Sequence, residues 1–327
     1  MKLLQLLSAV VLSSGLVACG DSGTPAVSTV AKTSAATPAA APKAAVSRVG
    51  LVMKTLTNPF FIEMEKGARR AEKELGVELL VKTAAQETSI EQQIQIVDDL
   101  IAAKVDAIVI APGDSQSLVP MLKKAAAAGI KLVNIDNRID PESIKSAGMA
   151  AIPFISVDND KGAYGAARFL ADGAKANTKA AILEGIRSAD NGRQRMEGAK
   201  RAFTENKNIK LVASETANWK VDEAYEVTRR LLSAHPDLRL IFASNDMMAI
   251  GAMKYVQEQK KPVRIAGYDA LNEAVEEVKA GRLIVTVDQQ AAEQGYQGIA
   301  LASRLIKGET VPELTLIETR LITAAAK

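Results

Sequence analysis

Cysteine and histidine are nearly absent from this chain of 327 residues, which contains one of each. A single cysteine, Cys19, can form neither an intrachain disulfide nor a cysteine-based metal site. The single histidine, His235, precedes a proline in a predicted surface turn. No Ser-His-Asp or Cys-His set can therefore be assembled, which excludes the commonest forms of nucleophilic catalysis.

Motifs for phosphate and metal binding are also missing. The chain has no Gly-x-x-x-x-Gly-Lys-[Ser/Thr] loop, and no convincing Gly-x-Gly-x-x-Gly follows its first predicted strand. The segment 158–162 resembles a calcium loop only faintly, because its glycine falls one position early. Asp136 and Asp269 could act as a carboxylate pair on a glycoside, but a role as charged acceptors for hydroxyl groups explains them more simply. We expect no enzyme activity, no cofactor and no metal.

A strong excess of one charge is lacking as well. The chain has 41 basic and 38 acidic residues, for a net charge of +3. Both signs are mixed along predicted helices, as in residues 63–66 and 69–74, and this mixture is typical of solvated helix faces. A nucleic-acid partner would need clustered basic residues, so we expect none.

The beginning of the chain has the layout of an export signal. A weakly basic start is followed by an apolar stretch, and residues 1–19 end at Cys19. The apolar stretch is shorter than the ~20 residues of a membrane span. Residues 16–19, Leu-Val-Ala-Cys, resemble a bacterial lipobox, which predicts cleavage and a lipid on Cys19. Residues 20–46 are rich in Ala, Pro, Ser and Thr, and we predict a flexible tether. The protein would then be exported and lipid-anchored, in the periplasm or at the outer face of the cytoplasmic membrane.

Apolar strand-like runs alternate with segments of helical periodicity through the rest of the chain. Predicted strands are 48–54, 77–82, 106–111, 130–135, 152–157, 179–184, 209–214, 239–243, 263–268 and 283–287. Predicted helices are 60–75, 90–103, 116–128, 160–173, 193–206, 221–234, 246–259, 271–280 and 290–307. This alternation predicts an α/β fold with parallel sheets covered by helices on both faces. About 280 residues exceed the usual size of one core, so we expect two lobes.

Polar and aromatic side chains gather where the predicted strands end. The stretch Lys54–Phe61 joins the first strand to a helix, with Pro59 at the first helical position. Open α/β sheets bind ligands beyond the carboxyl ends of their strands. Other strand ends supply Asp, Asn, Gln and Arg, which offer paired donors or acceptors, and aromatic rings that can cover the C–H face of a sugar. We interpret the set as polyol-binding, and we interpret Asp160 and Asp246 as helix N-caps only.

Taken in order, these dispersed motifs resemble the periplasmic sugar-binding proteins of ABC importers, in the ribose-binding group. The resemblance covers roughly residues 47–320, and residues 54–60 and 132–136 are most similar to the allose-binding members. It implies a type I periplasmic binding protein, with two Rossmann-like lobes joined by a three-crossing hinge. The first lobe would comprise residues 47–156 and 290–314, and the second would comprise 157–289 and 315–327.

The resemblance also implies which residues contact the ligand. By position these are Lys54, Asn58, Phe60, Phe61, Asp136, Asn137, Arg193, Trp219, Asn245, Asp269 and Gln289. Two of them depart from the ribose binders, which have serine at the position of Lys54 and arginine at the position of Asn137. Both departures favour a ligand other than ribose, such as a larger pyranose.

In such a protein the lobes would close as a monomer around a monosaccharide of the allose or ribose type. The closed form would be recognised by a membrane permease, whose transport is driven by a separate ATPase. Two alternatives remain open: a sensor module for a chemoreceptor or histidine kinase, and a binder of a non-sugar polyol. A repressor of the lactose type is excluded, because a signal and a tether precede the body where a helix-turn-helix would be needed.

Overall fold

The computed structural model describes residues 46–325. The predicted signal peptide, Cys19 and nearly all of the predicted tether lie outside the described residues. Strands and helices alternate as the sequence predicts, and they form two sheets of six strands each. Within the described part of the chain, no helix is both long enough and apolar enough to cross a membrane.

The first sheet is built from the first five strands. The elements of this part are β1 (Arg48–Met53), α1 (Pro59–Leu75), β2 (Glu78–Thr83), α2 (Ile90–Ala102), β3 (Ala107–Ile110), α3 (Val119–Ala127), β4 (Lys131–Ile135), α4 (Pro141–Ser146) and β5 (Phe154–Val157). All of these strands pair in parallel. Strands β3 and β5 are buried along their whole length. This is why β3, Ala-Ile-Val-Ile, appears in the sequence as a short, continuous apolar run.

The second sheet is built in the same way from the next five strands. Its elements are α5 (Asn159–Leu170), β6 (Thr178–Glu184), α6 (Asp190–Glu205), β7 (Ile209–Thr216), α7 (Val221–Ala234), β8 (Leu238–Ala243), α8 (Asp246–Glu258), β9 (Arg264–Ala266), α9 (Asn272–Lys279) and β10 (Val285–Asp288). These five strands also pair in parallel. The two similar halves are the first and second lobes of the molecule.

The chain then returns to the first lobe and crosses a third time. Helix α10 (Ala291–Ile306) packs against α1, and β11 (Leu314–Ile317) joins the edge of the first sheet beside β5. Strand β12 (Arg320–Thr323) lies at the edge of the second sheet, antiparallel to β10. The strand orders are β11-β5-β4-β3-β1-β2 and β12-β10-β9-β8-β6-β7. The predicted lobe boundary after residue 314 falls inside β11, and the chain leaves the first sheet only after Ile317.

Helix α1 shows how local sequence places polar groups at the ends of strands. Asn58 caps the helix, since its side chain accepts a hydrogen bond of 3.1 Å from Phe60 N. Pro59 occupies the first helical position, as predicted. The helix ends at Gly76, whose φ of 66° is the left-handed conformation that glycine adopts without strain. The segment 54–58 is thereby fixed beyond the carboxyl end of β1.

Candidate ligand-binding site

A small cavity lies between the two lobes, beyond the carboxyl ends of their strands. It is lined by Lys54, Asn58, Phe60, Phe61, Glu87, Asp136, Asn191, Arg195, Trp219, Asn245, Asp269 and Gln289. All of the predicted site residues except Asn137 and Arg193 are among them. The structure therefore brings together side chains that are far apart in the sequence. Glu87, Asn191 and Arg195 line the cavity in addition.

An ammonium group and two carboxylates form the first-lobe part of the cavity. Lys54 Nζ lies 2.8 Å from Asp136 Oδ2 and 3.9 Å from Glu87 Oε2. The Lys54 and Asp136 side chains are each only 3% exposed. Asp136 has a φ of 63°, an unusual conformation for a residue other than glycine. Its carbonyl oxygen accepts a hydrogen bond of 2.7 Å from Ser156 Oγ, which holds the carboxylate toward the cavity.

Glu87 was not predicted as a site residue. It lies in the polar run 86–89, in the connection between β2 and α2. Asn58 Nδ2 donates a hydrogen bond of 2.9 Å to Glu87 Oε1. Burial raises the pKa of the Glu87 carboxyl, and the positive charge of Lys54 opposes this shift. One feature of the sequence could have indicated Glu87. It follows β2, which lies in the same sheet as β1, so it lies at the same edge of the sheet as Lys54.

The structure does not place the predicted site residue Arg193 in the cavity, which Arg195 lines instead. Both arginines lie on α6, but residues two apart point to roughly opposite sides of a helix. Arg193 is 45% exposed and pairs with Asp190 at 3.1 Å. Arg195 is 3% exposed and lies on the buried stripe that continues to Gly198 and Ala199. Helical periodicity could have separated the two arginines, because only one of them continues that stripe.

Arg195 organises the second-lobe part of the cavity. Its guanidinium donates to Asn159 Oδ1 at 2.8 Å, to Ser244 O at 3.0 Å and to Gln289 Oε1 at 3.1 Å. It also lies 3.5 Å from Asp269 Oδ1 and 3.9 Å above the ring of Tyr268. These contacts use most of the five N–H groups of an arginine. The guanidinium is thus held rigidly, as a preorganised hydrogen-bonding plane.

Asp269 is the carboxylate of this second-lobe group. Gln289 Nε2 donates to its Oδ1 at 2.6 Å, so Gln289 contacts both Asp269 and Arg195. Burial raises the pKa of Asp269 well above its ordinary value, and the charge of Arg195 opposes this shift. The pair offers donors and acceptors at fixed positions on one wall of the cavity.

Three aromatic rings complete the lining. Phe60 and Phe61 meet edge to face, with ring centroids 5.1 Å apart. Trp219 adopts a φ of 67° and lies over Gly185, where a Cβ would come within 2.0 Å of its ring. Its Nε1 is buried and has no hydrogen-bond partner among residues 46–325. Tyr268 is fully buried beneath Arg195 and does not line the cavity.

The prediction that Asn137 contacts the ligand is not supported by its position. Asn137 is fully buried behind the cavity, and its Nδ2 donates to Pro112 O at 3.1 Å. Its Oδ1 accepts a hydrogen bond of 3.1 Å from Asn191 N, in the second lobe. Beside it, Ser115 Oγ accepts a hydrogen bond of 3.0 Å from Asp190 N. Asn137 and Ser115 therefore join the first lobe to the start of α6.

Two sheets joined by three crossings, with a polar cavity between them, define the class of two-lobed binding proteins. A model of the periplasmic binding protein domain matches residues 49–310. The chain belongs to this family of solute-binding proteins. The resemblance that the sequence motifs indicated is confirmed by individual relatives.

Two relatives bind related sugars. The chain is 40% identical over 267 residues to a D-ribose/D-allose-binding protein of Pseudomonas aeruginosa, covering 80% of this chain and 83% of the relative. It is 34% identical over 289 residues to the D-allose-binding periplasmic protein of Escherichia coli, covering 85% and 93%. Among solved structures, an ABC transporter solute-binding protein of Actinobacillus succinogenes with bound D-allose is 38% identical. That structure has a TM-score of 0.81, with 85% of this chain and 98% of the other covered.

Proposed function

We propose that this protein captures a monosaccharide of the allose or ribose type between its lobes and delivers it to the permease of an ABC importer. The observation that carries the proposal is the convergence of Asp136 with Lys54, and of Asp269 with Arg195, on opposite walls of one small cavity. Each wall offers a charged acceptor and a charged donor side by side. Adjacent hydroxyl groups of a sugar ring present the matching donor and acceptor pairs.

The size of the cavity supports a small ligand. Its lining residues come from both lobes and leave little free space between them. The rings of Phe61 and Trp219 would cover the apolar C–H faces of a pyranose or furanose and exclude water. A single sugar ring fits this description better than an oligosaccharide does.

Lys54 supports an allose-type ligand over ribose. Its side chain enters the cavity from the end of β1 and is held between Asp136 and Glu87. It would place a charged donor toward a hydroxyl or hydroxymethyl group of the ligand. The relatives named above are described as binding D-allose or D-ribose, and both sugars belong in the first test.

Hinge closure would couple binding to delivery. The cavity walls come from both lobes, so a sugar held on one lobe favours closure by the contacts that it gains on the other. The permease would then select the closed form. A lipid on Cys19 and a tether over residues 20–46 would keep the monomeric body near the membrane, in the periplasm or at the outer face of the cytoplasmic membrane.

A titration with a sugar panel tests the proposal. Trp219 is the only tryptophan of the chain, and it lines the cavity. Its fluorescence should therefore change saturably with the preferred sugar, with D-allose and D-ribose compared against other hexoses, pentoses and myo-inositol. A thermal-shift measurement on the same samples should show a higher melting temperature with that sugar, since it binds the folded state. Silence across the whole panel from folded protein would refute monosaccharide binding.

A further inference from the structure

The turn that carries Asp269 has an unusual backbone. Asp269 has a φ of 127° and the next residue, Ala270, has a φ of 53°. Two successive residues other than glycine with positive φ are strained, and such a turn persists only when surrounding contacts hold it. The carboxylate of Asp269 lines the cavity, so the shape of this turn determines where the carboxylate lies.

A buried carboxylate behind the cavity holds this turn. Asp246 Oδ2 accepts a hydrogen bond of 2.9 Å from Leu271 N. Its Oδ1 accepts one of 2.7 Å from Thr286 Oγ1, and that hydroxyl accepts one of 3.1 Å from Ala270 N. The two N–H groups that follow Asp269 therefore donate to the Asp246–Thr286 pair: Leu271 N to the Asp246 carboxylate and Ala270 N to the Thr286 hydroxyl.

Asp246 is built into this position and is not the helix N-cap that the sequence predicts. Asn245 caps α8, since its Oδ1 accepts a hydrogen bond of 2.9 Å from Met248 N. Asp246 is fully buried and does not line the cavity. A Cβ on Gly267 would lie 2.1 Å from Asp246 Oδ1, so the glycine leaves the space that the carboxylate fills.

We propose that Asp246 is a positioning residue of the ligand site, which acts on the sugar through the turn at Asp269. The proposal rests on the proposed function for the nature of the ligand. The charged groups that face Asp246 are Arg195 and Asp269. Its two carboxylate oxygens accept from two different donors, Leu271 N and Thr286 Oγ1. An amide at this position has only one acceptor oxygen, so one of these two donors would lose its partner.

A double-mutant cycle separates positioning from general structural support. The probe is D-allose, or D-ribose where that binds the wild type more tightly, and the dissociation constant is measured by calorimetry for Asp246→Asn, Asp269→Asn and the double variant. We expect Asp246→Asn to weaken binding by about tenfold or more, as expected for lost hydrogen bonds to a charged group. The double variant should bind only about as weakly as Asp269→Asn, because both changes act on one contact.

Matched variants control for folding and for charge. Asp222→Asn makes the same chemical change in the first turn of α7, at an exposed position in the same lobe, and should leave binding unchanged. Thr286→Val should weaken binding in the same coupled way, and Thr286→Ser, which keeps the hydroxyl, should restore it. Independent, additive losses from Asp246→Asn and Asp269→Asn would overturn the proposal, as would a dissociation constant for Asp246→Asn within about twofold of wild type.

Amide hydrogen exchange provides a readout without any sugar. The N–H groups of Ala270 and Leu271 should exchange faster in Asp246→Asn than in wild type, while exchange in the first lobe stays unchanged. If the wild type bound no sugar of the panel, the proposed function would fail, and this exchange would still decide whether Asp246 holds the turn. Unchanged exchange at both residues would overturn the positioning role.

Discussion

Lys54 Nζ lies 2.8 Å from Asp136 Oδ2, and both side chains are almost completely withdrawn from solvent. A second carboxylate, that of Glu87, approaches the same ammonium at 3.9 Å. The ammonium therefore separates two buried negative charges. Removing one member of a buried ion pair leaves an uncompensated charge, at a cost of about 3–5 kcal/mol.

The variant Lys54→Met tests this relationship. We expect the free energy of unfolding to fall by about 3–5 kcal/mol, because Asp136 and Glu87 would face each other without a counter-charge. Adding Asp136→Asn to this variant should recover much of the stability, since one of the two charges is gone. The free energy of unfolding of the single and the double variant can be measured by denaturant titration, with Trp219 fluorescence as the signal. Sugar binding should not recover in the double variant, and a recovery would contradict the role of these two groups in the site.

The two arginines of α6 provide a matched pair. Arg195→Ala removes donors to Asn159, Ser244 O and Gln289, and leaves Asp269 without its cation. We expect sugar affinity to fall by more than about 100-fold, because buried groups lose their partners and the ligand loses a donor. Arg193→Ala removes a half-exposed pair with Asp190, and such surface changes usually stay within about 0.5 kcal/mol in stability. Calorimetric titration of both variants should separate them clearly, and equal losses would contradict the assignment of Arg195.

The fold was predictable because its signals are local and repeated. Short apolar runs between helical segments identified ten strands in the right order, and Pro59 and Gly76 marked the ends of α1. The sequence does not predict β11 and β12, since both are four-residue edge strands with exposed leucines and no fully buried residue. The short helix α4 was missed for a similar reason, because it has six residues and buries mainly Ile144.

The site was predictable only where a side chain's direction follows from its position at the end of a strand. Lys54 and Asp136 directly follow β1 and β4, and Asp269 lies three residues after β9, so their place in the cavity follows from parallel topology. Glu87 depends on the path of the connection after β2, which no local signal determines. Asp246 shows a further limit, since an N-cap residue and a buried turn-holding carboxylate have the same sequence pattern.

The pH dependence of stability reports the state of Asp246. Burial raises its pKa to about 6, above the ordinary value of 3.8. Between these values the folded protein keeps a proton that the unfolded chain releases, so the contribution of Asp246 to stability falls as pH rises through this window. The variant Asp246→Asn lacks this carboxyl group and does not lose stability in this way. Its melting temperature relative to wild type should therefore rise between about pH 4 and pH 7.

Differential scanning calorimetry across this pH range makes the measurement. Asp222→Asn, which changes an exposed carboxylate, should show a nearly constant difference from wild type. A fall in the melting temperature of Asp246→Asn relative to wild type as pH rises would contradict the raised pKa of Asp246. Because Asp246→Asn is also expected to weaken sugar binding, the same variant would gain relative stability at neutral pH while losing function.

Hydrogen bonds between the lobes should stabilise the closed state even where the residues do not line the cavity. Ser115 Oγ accepts a hydrogen bond from Asp190 N across the cleft. Ser115→Ala should destabilise the closed state by the ~1 kcal/mol of one hydrogen bond, and so weaken affinity by about fivefold. The loss of affinity should come mainly from faster sugar dissociation, because the contacts between the lobes form after the sugar has bound.

Ser143→Ala is the control. It removes a hydrogen bond to Asp140 within the first lobe, and it should leave both the sugar affinity and the dissociation rate unchanged. Stopped-flow fluorescence of Trp219 measures these rates, and equal dissociation rates in the two serine variants would show that this contact does not hold the lobes closed.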